Sequence, residues 1–286
     1  MVIFCLTLPA ADVIVRILNE AGMNVFQITF IRSFGIVIIL FPLLIYKKEV
    51  YIKKKYWLLY AMRSLFLFTA ILIWLSILQY VHLSDLYAVG FTAPLFTTAL
   101  GVLFLKEKMT WVKLVGLIGG LTGAMIVIRP GFRDVSPYIW FALISAIGWS
   151  VAMVITKFLS ATQSQIKLTG FLSLSFIPLT MFVAIPNWIT PTFDQWKLLA
   201  LVTFFTIVSN LALVESFKRA PLTVLTPIEF MTLLFSAILG WVFFKENLDM
   251  TSVVGGLTIF VSASFSTLMT KNKKRRKNTL TTDVIQ

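Results

Sequence analysis

Four ionisable side chains lie deep inside long apolar runs: Asp12, Arg32, Arg63 and Glu229. Asp12 and Arg32 have opposite sign. If their runs are helices, each lies about two turns from the same end. They could lock two helices together as an ion pair or hold the ends of a polar solute. Arg63 carries a planar fork suited to a carboxylate or phosphate. Its long stem could equally take the charge to the surface. Glu229 stands two residues past Pro227. Proline removes a backbone donor and leaves a helical carbonyl unpaired. A carboxylate at such a break could take a proton or a cationic amine, or hydrogen-bond a neighbouring helix. Tyr87, Trp74, Trp149 and Trp241 could stack on a planar solute or anchor helices at a membrane interface. Tyr87 and Trp149 join Asp12, Arg32, Arg63 and Glu229 as substrate-binding or coupling candidates. His82, Asp85 and Arg16 read as solvated rim residues.

Other chemistry is poorly supplied. The chain has one cysteine, Cys5, and one histidine, His82, which excludes an internal disulfide and a His-rich metal site. It contains no HExxH motif and no GxxxxGK[ST] phosphate loop. No catalytic residue, metal or cofactor is expected. The KNKKRRK stretch at 271–277 fits a basic tail on anionic lipid rather than a nucleic-acid contact.

The elements that must position these groups are set by the solvent. The sequence is 58% hydrophobic and 13% charged, against about 25% charged in soluble domains. Apolar runs fall near 1–18, 24–46, 56–78, 84–105, 110–129, 137–158, 166–186, 196–217, 221–244 and 249–270. In hydrocarbon each backbone must satisfy itself, so each run is a helix. The runs are continuous rather than alternating, which excludes a β-barrel. The first run lacks a basic leader and is interrupted by Asp12 and Arg16, so it reads as a retained span rather than a signal peptide. It is short, and an upstream start is expected.

Ten spans put both termini on one side. Connections on that side, with the tail, carry eighteen Lys and Arg; the other side carries five: Arg16, Arg129, Arg133, Lys197 and Lys245. Positive charge marks the cytoplasm, so both termini are expected there.

A shift of 139 positions lays FTTALGVLFLKEKMTWVKLVG over FSAILGWVFFKENLDMTSVVG. Phe96, Gly101, Lys106, Glu107 and Gly116 fall on Phe235, Gly240, Lys245, Glu246 and Gly255. The division is therefore 1–130, 137–270 and a basic tail, 271–286. Five spans per copy is odd, so the second copy is inverted. Inverted copies suggest alternating access to a central site. Each Lys-Glu pair reads as a hairpin corner, lysine complementing the helix before it and glutamate the helix after it. GLIGGLTGA at 116–124 and VGG at 254–256 permit close helix contact, within the bundle or across a homodimer.

At these residues the sequence resembles the EamA-type carriers of the drug/metabolite transporter superfamily. The likeness rests on ALGVLFLKEKMTW with VGLIGG, and on APLTVLTPIEFMTLLFSAILGWVFFKEN with VGG. It implies an all-α polytopic membrane protein of ten helices in two inverted five-helix repeats, moving amino acids, nucleosides, vitamins or similar metabolites. ADVIVRIL, ITFIRSF and AMRSLFLF further resemble S-adenosylmethionine uptake carriers of intracellular bacteria, through Asp12, Arg32 and Arg63. The expected function is secondary active transport of a small polar metabolite across a bacterial inner membrane, with protons as candidate coupling ion. The alternatives are a membrane-embedded enzyme and a non-transporting scaffold.

Overall fold

The structure is a computed structural model that describes residues 1–77, 90, 92–128, 139–245, 254–262, 264, 265 and 269. Among them the elements are helical: α1 (Val2–Glu20), α2 (Val25–Tyr46), α3 (Lys54–Ile77), α4 (Ala93–Leu105), α5 (Trp111–Ile128), α6 (Ile139–Ser160), α7 (Gln165–Ala184), a 3-10 turn (Ile185–Asn187), α8 (Phe193–Arg219), α9 (Leu222–Glu229) and α10 (Met231–Phe244). Residues 254–262 are also helical. Seven helical stretches are long and apolar enough to cross a membrane, and α4 and α5 are shorter apolar helices.

Polar residues start several helices. Asn24 accepts the Phe26 N–H at 2.8 Å. Thr192 and Gln195 form a reciprocal capping box, which satisfies two otherwise orphaned groups. That box starts α8 three residues before the apolar run expected from 196. Pro9, Pro42 and Pro178 lie inside α1, α2 and α7 without ending them. The run expected over 221–244 is one membrane-length stretch, Leu222–Phe244, interrupted at Phe230 between α9 and α10 with the backbone still right-handed (φ −60°, ψ −21°). Pro227 supplies no N–H, so the Thr223 carbonyl four residues back lacks its helical partner.

Helices from the two halves of the chain pair antiparallel. In α1 and α8, Cys5 packs in one cluster with Phe217, and Leu18 in another with Leu199. In α2 and α7, Leu44 lies beside Gly170, while Gln27 bonds Ile189 just past α7. In α3 and α6, Ser145 Oγ donates to the Ala70 carbonyl at 2.8 Å, and Tyr60 packs with Ile155 and Leu159. Large apolar side chains such as Ile38, Leu58, Phe104 and Phe182 stay exposed on the outside. Such a surface needs lipid rather than water. Buried Thr156, Thr180 and Thr203 each donate to the carbonyl four residues back, which satisfies them within their own helices.

The glycine stretches do meet. A Cβ on Gly123 would lie 2.7 Å from Ile259 Cγ1 and 2.8 Å from the Gly255 carbonyl oxygen. α5 therefore packs backbone to backbone on residues 254–262 within one chain.

The Lys-Glu corners depart from expectation in one respect. Lys106 and Lys245 both take left-handed backbone, φ 53° and 54°, and close α4 and α10 onto the carbonyls of Gly101 and Gly240. Glu107, expected to complement α5, instead accepts the backbone N–H groups of Leu222 and Thr223 at 2.8 and 2.9 Å. It caps α9, from the other half of the chain. Glu246 lies outside the described residues. The bonds from Glu107 to α9, from Ser164 to Glu49 and from Lys167 to the Tyr51 carbonyl gather one set of connections at a lysine-rich end of the bundle.

Candidate functional site

A cavity of about 310 Å³ opens between α1, α3, α4, α6 and the α9–α10 junction. Its walls are mostly apolar. Phe4 and Leu8 come from α1, Ala70, Ile71 and Trp74 from α3, and Ala146 and Trp149 from α6. Gly90, Ala93 and Pro94 complete one side. A Cβ on Gly90 would lie 2.6 and 2.9 Å from two atoms of the Trp74 ring. Only glycine lets that ring lie against the backbone here.

The polar groups on the walls are Glu229, Thr232 and Ser145. Ser145 is committed to the Ala70 carbonyl. The buried Thr232 hydroxyl faces the Cys5 thiol. Glu229 is half-buried at the last position of α9. Among the described residues no cation or hydrogen-bond donor engages its carboxylate. Glu229 lines the cavity at the end of α9, and α9 stands on the Glu107 cap at its other end. Thr98 and Thr226 join α4 to α9 through a 2.7 Å hydroxyl–hydroxyl bond next to Pro227.

The structure brings Glu229 and Trp149 together in this cavity and leaves Asp12, Arg32 and Arg63 off its wall. Asp12 is exposed on α1; Arg32 is half-buried on α2 and interacts with it electrostatically, without a direct ion pair. Arg63 is 3% exposed, so its charge does not reach the surface along its stem. Its Nη1 donates to the Leu168 carbonyl at 2.8 Å, and among the described residues its Nε has no partner. Tyr60, one turn away, has a buried hydroxyl that is also unpartnered. Tyr87 lies outside the described residues. Trp74, Gly90, Phe4 and Thr232 complete the site. Sequence alone ranked Trp74 with other membrane tryptophans, and nothing in composition distinguished the other three.

A model described as the EamA-like transporter family matches residues 1–129 and again residues 136–268. The chain belongs to the EamA-like transporter family. An S-adenosylmethionine uptake transporter of Rickettsia bellii is 25% identical over 268 residues, 94% of this chain and 92% of that one. A riboflavin transporter of Vibrio cholerae is 26% identical over 210 residues, 73% of this chain and 70% of its own. A pseudopaline exporter of Pseudomonas aeruginosa is 25% identical over 195 residues, 65% and 66% of the two chains. A protein of known crystal structure, 14% identical, superposes with a TM-score of 0.80 and covers 94% of this chain and 96% of its own. That likeness shows the shared fold. This EamA-like protein is accordingly an integral membrane transporter of small metabolites.

Proposed function

We propose that this transporter carries a small organic cation with a planar group, by alternating access around the Glu229 cavity. The observation that carries the reading is a carboxylate with no partner among the described residues, set among aromatic and apolar walls. A charge in such surroundings needs a counter-charge. A substrate cation supplies one, and a proton can take its place when the cavity is empty. Trp74 and Trp149 offer flat faces for stacking and for a neighbouring positive charge. The volume lies at the small end of ordinary ligand pockets, about 300–1,000 Å³.

S-adenosylmethionine, named for the Rickettsia relatives, has both features: a sulfonium cation and an adenine. Riboflavin is planar but uncharged and would leave Glu229 unanswered. We therefore favour the first. Asp12 and Arg32 are assigned to helix pairing in this reading, since they lie off the cavity.

The helix arrangement supports an inverted duplication. Adding 139 to residue numbers carries α1 onto α6, α2 onto α7, α3 onto α8 and α4 onto α10 to within about three residues. It also exchanges the packed pairs: α1–α8 becomes α6–α3, and α4–α6 becomes α10–α1. Gly90 falls on Glu229, so the two halves contribute a glycine and a carboxylate to one cavity. By the positive-inside rule the lysine-rich end faces the cytoplasm of a bacterial cell; in this reading the coupling ion is the proton that neutralises Glu229 in the empty cavity.

Proteoliposome uptake tests this. Labelled S-adenosylmethionine should accumulate with an imposed pH gradient and exchange without one, while riboflavin should not be driven by the gradient. Equal transport of both solutes, or gradient-independent accumulation, would overturn the reading.

A further inference from the structure

Glu107 was read above as a corner residue, but its carboxylate is spent on the opposite half of the chain. Its two oxygens accept from Leu222 and Thr223, the first two residues of α9. Pro221 precedes them and makes no side-chain cap. The exposed donors and positive pole of a helix N-terminus are thus served from across the bundle. Lys113 Nζ donates to Thr223 Oγ1 at 2.8 Å and to the Lys108 carbonyl at 2.7 Å, tying the same corner to α5. Lys157 on α6 donates to the carbonyls of Phe217 and Ala220, at the end of α8. The α8–α9 corner is therefore clamped at the lysine-rich end by charged side chains of other helices. α9 is eight residues long, about 12 Å of rigid helix, and its far end is Glu229 in the cavity.

We propose that Glu107 is a latch and a positioning residue: it closes the lysine-rich end of the transporter and, through α9, sets where Glu229 stands. Release of its two bonds leaves the α8–α9 corner held only by Lys113 and Lys157 and loosens it, which opens the cavity toward that end and moves the carboxylate with it. This rests on the alternating-access reading above.

The chain supplies its own probe. Cys5 is its single cysteine, fully buried, with Sγ donating to the Ile228 carbonyl at 3.4 Å, one residue from Glu229. A swing of α9 uncovers it. The full chain in proteoliposomes is labelled with a membrane-impermeant maleimide added to one face at a time. Wild-type Cys5 should react slowly from both faces. Glu107→Ala should raise the rate from the lysine-rich face by about tenfold or more, the population shift expected when charge-assisted hydrogen bonds are lost. Glu107→Gln, which keeps the size but loses the charge and one acceptor, should fall between. Solute uptake in the same vesicles should show a lower maximal rate in both variants. Wild-type labelling in both variants, or an equal rise from both faces, would overturn the latch. So would a Glu107→Gln protein that no longer folds, because Glu107 would then serve stability alone. Labelling needs no substrate. A latch response without uptake of any solute would sink the transport reading and leave the latch, and uptake without a response would do the reverse.

Discussion

Glu229→Gln is the most direct test of the cavity. The change keeps shape and hydrogen-bonding size and removes the negative charge. Two unit charges about 4 Å apart interact by about 4 kcal/mol at the effective dielectric of 20 that suits partly buried pairs. Glu229 is half-buried, and a bound cation must shed water to reach it, so much of that is offset. A net loss of about 1.5–3 kcal/mol, the range for hydrogen bonds to charged groups, is expected. That corresponds to about 10- to 150-fold weaker binding of a planar cation. A neutral planar solute should be nearly unaffected. The ligand-free variant should melt at the wild-type temperature or slightly above it, because the empty cavity no longer holds a carboxylate that must take up a proton to be neutral. Equilibrium binding of a labelled cation to purified protein, with melting curves in its presence and absence, reads all three effects. Cation affinity within twofold of wild type, or equal loss for cationic and neutral solutes, would refute the reasoning.

Three further outcomes follow from the packing. Gly90→Ala drives the Trp74 ring off the backbone, since the added Cβ would sit 2.6 Å from it; KM for a planar solute should rise about tenfold or more, the effect of one misplaced methylene in a pocket. Gly123→Ala pushes against Ile259 and the Gly255 backbone and should destabilise the fold by about 1–3 kcal/mol, whereas Gly148→Ala, with neighbours at 3.4 and 3.5 Å, should be neutral or gain up to about 1 kcal/mol of helix propensity. Thermal melts of the pair compare the two. Gln27→Ala strands the Ile189 N–H and C=O, both held by the fully buried Gln27 amide, and a loss of about 1–3 kcal/mol should appear in the same melts.

How much of this was readable beforehand differs by residue. Glu229 was legible because a carboxylate beside a proline in an apolar run is conspicuous, and the helical run is interrupted beside it. Trp149 was legible only as one of several tryptophans. Arg63 was expected at the surface with equal reason, yet it is buried against the Leu168 carbonyl. Glu107 was read as the cap of the next helix, while its partners stand 115 and 116 positions away.

Sequence by itself determined the solvent, the helices and their approximate ends. Lipid demands long apolar stretches with self-satisfied backbones, and that demand is written into composition and run length. It also exposed the repeated segments, because both copies keep the same corner residues. Which face of each helix turns inward was decided only in the tertiary structure. Apolar side chains surround most of these helices on all sides, α1 excepted, since lipid tails and neighbouring helices are equally apolar, so an amphipathic stripe rarely marks the interior. Depth can be read along the chain, but azimuth cannot. That is why the cavity joins Glu229 to Trp74, Trp149 and Gly90, leaves Asp12 and Arg32 aside, and rests on a glutamate that looked like part of a turn.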